Sequence, residues 1–504
     1  MIRLGKPIRI GWFSDWAYAP TGFGTVARNV LTRLNAMPEF EVRQLAIGYD
    51  PWQALGAVKD PVQYREAVDR FRDTRVDGWS RDLPSPVGFP CDSPLDANDY
   101  GQSSLQLWID RFAIDVLVCN FDPWMTAWMP CQGTQQNLRC PVIYYQPIDG
   151  EVWGHHLPIH LFKLPKRRLA RIAWRDFMLA QEYTVLYGDW ARQLFLDELD
   201  EGERAKLDGR LDVIPHGVDL KTFVPGSKIA ARQTLGLPEN AYIIGMVATN
   251  QARKNWPDFL KAVGAFLHSH PNAYLVPWTE WLPSMPGGWD LTRLIPLTCP
   301  TKRVVRIDLA MVDETPPVEL LATLYQALDV HVLWSMGEGC GLPHLEAQAC
   351  GRPSLAVDYA GVTDYFSDDY MRVPYTETVT ASGNCIERAR GDTGILLQKL
   401  AQLCHDHDLR DRLGTNAAHY ARAHWNWDHI VLQWRELIMR AYKEGRRSCD
   451  SDASSAAESN PDSPMATPAL TVSVESGDVS TADEEVGRGG EAMARIGPVS
   501  SRAN

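Results

Sequence analysis

What the 504-residue chain lacks narrows it first. Its ten cysteines are scattered and no two stand as C-x-x-C, which argues against structural zinc and against a disulfide framework. No window of about 18 apolar residues occurs, so no membrane-spanning helix is expected. The opening MIRLGKPIRIGWFSDW has a short apolar run broken by Lys6 and Arg9 and does not read as a signal peptide. The expectation is a cytoplasmic protein. A basic balance is also missing. The formal net charge is -13, and Ser448 to Asn504 alone carries ten Asp/Glu against three Arg. The mildly acidic remainder neither requires nor excludes nucleic acid, since a local basic groove would suffice. Large apolar residues are scarce in that Ser/Ala/Glu/Asp-rich stretch, so 448–504 is expected to be disordered.

Hydrophobic residues make up 45% and charged residues 22%, the balance of a soluble globular chain of two or three domains. IRIGWFS (Ile8 to Ser14) reads as a buried first strand, followed by a loop and by TVARNVLTRL with helical spacing. IDVLVCNF, PVIYYQP, YTVLYG and RLDVIPHG continue as short apolar runs ending in loops. After VIPHGVDLKTFVPG the pattern restarts. AYIIGMVAT, NAYLVPW, KRVVRIDL and DVHVLWS are expected strands. NWPDFLKAVGAFLHSH and ETPPVELLATLYQAL are expected helices, with Asn255 as a candidate cap and Pro257 near the first turn. Strands alternating with helices imply doubly wound parallel sheets. The expectation is an α/β protein with two Rossmann-like domains facing a cleft, hinged near Pro215 to Pro225. Residues 51–105, rich in Pro, Asp and Arg, read as an irregular insertion.

GEGCGLPHLEAQACG, from Gly337 to Gly351, follows the last of these strands. A strand, a Gly-rich turn and a helix make an anion site, because backbone N–H groups and the helix dipole point outward at the helix start. Gly339 and Gly341 let the backbone approach a phosphate closely, and Pro343 suits the first helical turn. Glu346 would lie one turn into the helix, where a carboxylate accepts two hydrogen bonds from a vicinal diol such as a ribose. Glu338 precedes the turn, on the far side of the anion. Two solvated glutamates beside an ordinary helix start are the plainer alternative.

SMGEGCGLPHLEAQACGRPSLAVDYAGVTDY is similar to the donor-site signature of the retaining glycosyltransferases of family 4, which have the GT-B fold. VIPHGVDLKTFVP, IGMVATNQARKNWPDFLKAV, VELLATLYQALDVHVLWS and TGFG resemble further family stretches in family order, over roughly 8–440. The resemblance implies an N-terminal acceptor-side domain (1–220), a nucleotide-sugar donor domain (221–425) and a closing helix (426–447). It implies transfer of a sugar, with retention, from a nucleoside-diphosphate sugar to an acceptor hydroxyl. Glu346 would bind the donor ribose. Glu338 and the backbone from Gly339 through Cys340 and Gly341 to Leu342 would hold the sugar and diphosphate. Arg253 and Lys254, in NQARKN, would neutralise the leaving diphosphate as its charge develops. The family commonly has an Arg about five residues before this Lys; Thr249 stands there, so the role shifts to Arg253. Asp149, in YYQPIDGEVW, lies where relatives often place a polar group against the donor sugar. No cofactor or metal is implied: no D-x-D stands in a suitable loop, and cationic side chains with a helix dipole can replace Mg²⁺.

Gly22 and Gly24 in PTGFGT would bring backbone N–H groups to the distal phosphate, or form a plain strand-to-helix turn. Asp15 and Asp122 follow strands and would bind acceptor hydroxyls or serve as loop residues. His216 and Asp219 read as a turn that positions the second domain. FKLPKRRLARIAWR (162–175) carries six Lys/Arg and no acid. It reads equally as a solvated helix face or as a contact with an anionic surface, which would put the protein peripherally at a membrane. Tryptophans such as Trp12, Trp16, Trp124, Trp153 and Trp174 would stack sugars or pack a core. The acceptor stays open among glycan, lipid, small molecule, protein and modified DNA base. An epimerase or phosphorylase on the same architecture, and a non-catalytic sugar-nucleotide-binding or scaffold protein, are the alternatives.

Overall fold

Near-continuous apolar runs make parallel strands, because helices cover both faces of such sheets. The computed structural model describes residues 6–48, 89–94, 100–126, 128–129, 138, 140–151, 177–283, 287–307, 317–381 and 386–458, with side chains to 445 save that of Trp124. The first sheet is built from β1 (Ile8–Asp15), β2 (Phe40–Ile47), β3 (Cys91–Asp92), β4 (Val116–Asn120), β5 (Val142–Gln146), β6 (Tyr183–Leu186) and β7 (Leu211–Val213). Its order is β3-β2-β1-β4-β5-β6-β7, parallel throughout. The second comprises β8 (Tyr242–Val247), β9 (Ala273–Trp278), β10 (Val330–Leu333), β11 (Ser354–Val357) and β12 (Arg372–Val373), ordered β12-β11-β10-β8-β9 and also parallel. An antiparallel hairpin, β13 (Tyr375–Thr380) with β14 (Glu387–Gly391), stands apart from both. Both sheets belong to one compact unit, Met1–Asp450.

Each sheet has one place where strand order reverses, between β1 and β4 and between β8 and β10. Loops diverge there at the strands' C-terminal ends, which leaves a crevice for ligands. The loop from Thr249 to Asn255 follows β8, and the Gly-rich motif follows β10. Sheet topology therefore brings together two stretches that lie about eighty residues apart in sequence.

Two crossings of the chain join the lobes side by side. Val218 pairs in parallel with Asn426, and Val218 N–H donates to the Trp425 carbonyl at 2.8 Å. A Cβ at Gly217 would meet the Trp427 ring at 2.7 Å, so glycine lets the two crossings touch. His216 is buried, its ring 4.0 Å from that of Tyr187, and burial pulls its pKa down to about 3, so it stays neutral. After the second crossing the helix Trp427–Glu458 returns to the first lobe. Trp434 packs edge-on against Trp12 (5.3 Å) and Tyr145 (4.7 Å), while Arg33 pairs with Asp428 at 2.6 Å. This helix continues past residue 447.

Several local features differ from the sequence expectation. KRVVRIDL is not a strand in its described part: Thr301–Arg303 is a 3-10 turn, and Val304 makes a single bridge to Leu275. Arg303 turns back to the carbonyls of Leu267 and His270, which takes the chain off the sheet edge. Asn255 starts the helix Trp256–Ser269 in a left-handed conformation (φ 46°) and makes no side-chain cap. Its amide donates to the Asp258 carboxylate at 3.0 Å instead. Strand β2 and the β13–β14 hairpin are additions. Within the expected insertion, the described part contains edge strand β3; the remainder of it, the basic stretch 162–175 and residues 459–504 lie outside the described residues.

Candidate functional site

The Gly-rich motif begins where β10 ends. Gly341 adopts φ 85°, a conformation that favours glycine, and turns the chain into the helix Leu342–Ala349. Pro343 occupies the first turn, and no side chain caps the helix start. That end faces the first lobe. A Cβ at Gly22, the first residue of the helix Gly22–Asn35, would lie 4.0 Å from Leu342 Cδ1. Two helix N-termini, one per lobe, thus converge on the same space, and both carry partial positive charge.

Beside them runs an alternating chain of five charges. Lys254 Nζ donates to Glu338 Oε1, and Arg253 Nη1 lies 2.8 Å from Glu338 Oε2. Arg253 Nε is 3.9 Å from Asp149 Oδ2, and Arg388 Nη1 lies 3.0 Å from Asp149 Oδ1. The order Lys254, Glu338, Arg253, Asp149, Arg388 places a cation at each end and leaves one positive charge in excess. Asp149 comes from the first lobe, the other four from the second. Further bonds hold Arg253 in place: its Nη1 donates to the Gly337 carbonyl (3.0 Å) and to Ser335 Oγ (3.3 Å), and its own carbonyl accepts from Met336 N–H (2.8 Å). Lys254 is held by Glu338 alone among the described residues, which leaves ammonium protons available.

Burial and pairing compete in setting the charges. Burial pushes the Glu338 carboxyl up, but Arg253 and Lys254 pull it further down, to about 2. Lys254 falls to about 8, first from burial and then from Arg253, with Glu338 opposing. Glu346, 9% exposed, is pushed up to about 7 by burial. A hydrogen bond from Tyr325 Oη to its Oε2 at 2.8 Å and the charge of Arg28 act the other way. The two glutamates therefore differ: Glu338 is a fixed anion, whereas Glu346 titrates near neutrality.

The expected residues Glu338, Arg253, Lys254 and Asp149 meet in one cluster. Glu346, Gly339, Cys340, Gly341 and Leu342 lie on the adjoining turn and helix. Gly22 faces them across the cleft. Gly24 is a correction: its N–H donates to Thr21 Oγ1 at 3.1 Å as part of the helix cap, so it is not free for a phosphate. A Cβ there would come within 2.5 Å of the Trp16 and Ala19 carbonyls, and this crowding explains the glycine. Asp15 accepts from Thr21 Oγ1 at 2.7 Å, supporting the same turn. Trp12 and Trp16 are buried core residues rather than stacking platforms. Trp153 and Trp174 lie outside the described residues.

Arg388, Tyr325 and Arg28 escaped sequence reasoning. Arg388 sits on a hairpin with no apolar period, and Tyr325 looks like any apolar-face residue of its helix. Among the described residues no group of three or more His, Cys, Asp or Glu is arranged to hold a metal ion, and no helix is long and apolar enough to cross a membrane.

Known proteins resemble this chain in sequence and in fold. Residues 307–420 match the family model described as glycosyl transferases group 1. The D-inositol 3-phosphate glycosyltransferase of Corynebacterium jeikeium is 32% identical over 237 residues, covering 46% of this chain and 51% of that protein. The protein of the same name from Mycolicibacterium vanbaalenii is 36% identical over 163 residues, covering 30% and 34%. The chain thus spans about half, or less, of the length of these curated relatives. Among solved structures, sucrose-phosphate synthase from Thermosynechococcus elongatus superposes with a TM-score of 0.60 at 18% identity, over 87% of this chain and all of the other. Anabaena HepE in complex with UDP gives 0.55 at 16% identity, over 86% and all of the other. With two parallel-sheet lobes and these structural neighbours, the fold of the chain is GT-B.

Proposed function

We propose that the chain is a retaining glycosyltransferase that takes a nucleoside-diphosphate sugar as donor and passes its sugar to an acceptor hydroxyl. The observation that carries this reading is the five-charge chain across the lobes, lying beside two converging helix N-termini. A donor diphosphate brings negative charge to a cluster that holds one positive charge in excess. It would draw Lys254 and Arg253 from Glu338 and release that carboxylate to the sugar hydroxyls. Glu346 Oε1 would accept from the ribose while Oε2 keeps its bond from Tyr325. The match of 307–420 to glycosyl transferases group 1 and the UDP complex of HepE support the donor class.

The chemistry follows from which groups are already engaged. In the transfer, the bond from the sugar's anomeric carbon to the phosphate oxygen breaks, and a bond to the acceptor oxygen forms. The acceptor's proton passes to the departing phosphate oxygen on the same face, which preserves configuration. Within the described site Asp149 pairs with Arg388 and Glu346 accepts from Tyr325, and Glu338, once released, would be engaged by the sugar hydroxyls. That arrangement favours the leaving phosphate as the proton acceptor. Arg253 and Lys254 stabilise the charge that develops on it, as fixed cations already in place.

A thermal-shift panel of UDP-, GDP- and ADP-linked sugars tests the donor assignment, since a ligand bound only by the native state raises the melting temperature. The expected result is a clear shift with one nucleotide class, abolished in Glu346→Ala. Glu338→Ala should lower turnover more than it weakens binding of the free nucleoside diphosphate. Equal loss of both would remove Glu338 from the sugar.

A further inference from the structure

Three consecutive residues of β14 reach both halves of the site. Glu387 N–H donates to the Glu151 carbonyl at 2.7 Å, a backbone bond from one lobe to the other. Tyr359 Oη locks that junction, accepting from Glu151 N–H and donating to the Glu387 carbonyl, each at 3.1 Å. The Arg388 guanidinium binds the Asp149 carboxylate and also its carbonyl. Ala389 N–H donates to the Met336 carbonyl at 2.8 Å, which ties the hairpin to the start of the Gly-rich motif. Gly150 and Gly337 line the contact. A Cβ at Gly150 would overlap the Glu387 carbonyl, and one at Gly337 would overlap the Asp149 carbonyl.

We propose that Arg388 is a positioning residue of the transfer site, holding the Asp149 carboxylate of the first lobe against the donor-lobe motif. This rests on the glycosyltransferase reading above. The two side chains differ in access: Asp149 is 27% exposed and Arg388 only 7%. Arg388 therefore stands behind Asp149, and Asp149 presents its other oxygen to the cleft. At 3.9 Å from Arg253 Nε that oxygen makes no hydrogen bond to it and is open to a ligand hydroxyl. Remove the Arg388 charge, and Arg253 becomes the nearest cation to Asp149. Asp149 would then draw Arg253 away from the diphosphate, and the loop Pro147–Glu151 would lose its guanidinium anchor, keeping the Tyr359 bond at Glu151 N–H. Transfer depends on sub-ångström placement, so turnover should suffer before nucleotide binding does.

Steady-state kinetics with the best donor, calorimetry with the free nucleoside diphosphate and a double-mutant cycle test this. Arg388→Met should lower kcat roughly 100-fold, the scale of a 1 Å misplacement, with donor KM and nucleotide affinity changed less than about threefold. Arg388→Lys should recover part of kcat, because it keeps the charge but not the planar guanidinium. Combined with Asp149→Asn, Arg388→Met should add little further loss, since both act through one pair. Unchanged kcat, equal losses of kcat and nucleotide affinity, or multiplying losses in the double variant would each overturn the proposal. Should the wild-type protein turn over no donor, the glycosyltransferase reading fails separately. Hydrogen exchange at the Glu387 amide then decides the matter. Faster exchange in Arg388→Met than in wild type supports the positioning role, and equal exchange refutes it.

Discussion

Strand β10 has a buried ion network at each end, and the two are built differently. Before its first residue, Asp329 binds Arg232 at 2.6 Å and Lys228 at 2.7 Å, with Arg410 at 3.7 Å. It also accepts from Ile243 N–H at 2.8 Å. Beyond its last residue, Glu338 binds Lys254 and Arg253. The Asp329 network lies wholly within the second lobe. Its arginines also donate to backbone carbonyls, Arg232 to those of Ala327 and Ala241 and Arg410 to that of Leu403, while Arg410 Nε makes only its 3.7 Å ion-pair contact with Asp329. Ala327 and Leu403 lie in the last turns of their helices, where carbonyls carry partial negative charge. The Glu338 network crosses between lobes, and Lys254 retains donors that no described residue takes. In the first network the cation with spare donors, Lys228, is 26% exposed and can turn them to water; in the second it is Lys254, 7% exposed and beside the converging helix starts. That difference separates a structural ion cluster from a binding one more clearly than burial of the carboxylates does, since Asp329 (3% exposed) and Glu338 (7%) are both buried.

The largest expected effect lies at the structural end. Asp329→Ala would leave Arg232 and Lys228 without their counter-ion and Ile243 N–H without its acceptor. Loss of one partner from a buried pair costs about 4 kcal/mol. Denaturant titration should show that loss in stability, while any protein that remains folded should still bind nucleotide. The pH window follows from the sign of the shift. Burial pushes the Asp329 carboxyl up, but Lys228 and Arg232 bring it below its ordinary 3.8. Its stabilisation is present above that value and disappears as pH falls through the lower folded value. A stable Asp329→Ala protein would make the contrast between the two ends untenable.

At the other end the expected effect is on rate. Lys254→Ala should reduce kcat by about 100- to 1,000-fold, the usual scale for removing one preorganised donor from a developing oxyanion. Stability should change less than in Asp329→Ala, because Glu338 keeps Arg253. If Lys254→Ala instead unfolds the protein and spares turnover in the folded fraction, Lys254 is a structural cation like Lys228.

Much of this contrast was legible in the chain. GEGCGLPHLEAQACG after an apolar strand announces a helix start flanked by acids, and NQARKN after the preceding strand announces cations. Parallel topology explains why they meet. What stayed hidden depends on contacts between distant stretches. Arg388 lies fifty residues beyond Glu338 on an exposed polar hairpin outside either sheet, where neither alternation nor helical spacing marks it. Gly337 must be glycine because a loop of the other lobe presses against it, which no local pattern records. Gly24 misled in the opposite direction: its place in G-x-G suggested a phosphate, whereas crowding by two carbonyls and a capping bond explain it.

Glu346 offers the smallest and most discriminating test, because its electrostatics oppose those of Asp329. Its pKa rises from 4.5 to about 7 as burial outweighs the Tyr325 hydrogen bond and the Arg28 charge. A carboxyl with a raised folded pKa favours the native state most below its unfolded value, and that contribution is lost as pH rises through the folded value. Wild-type stability should therefore fall by about 2 kcal/mol between pH 5 and pH 8 from this group alone. Glu346→Gln cannot ionise and should remove that slope, so its melting temperature should exceed that of wild type at pH 8 yet match it near pH 5. The same substitution should weaken donor binding at pH 8, since one amide oxygen must serve both the ribose and Tyr325, where the carboxylate gives each its own oxygen. Stability gained and binding lost at one position is the signature of a group retained for its ligand. If Glu346→Gln destabilises the protein at pH 8, the carboxylate is a structural member of the helix Leu342–Ala349, and the ribose assignment goes with it.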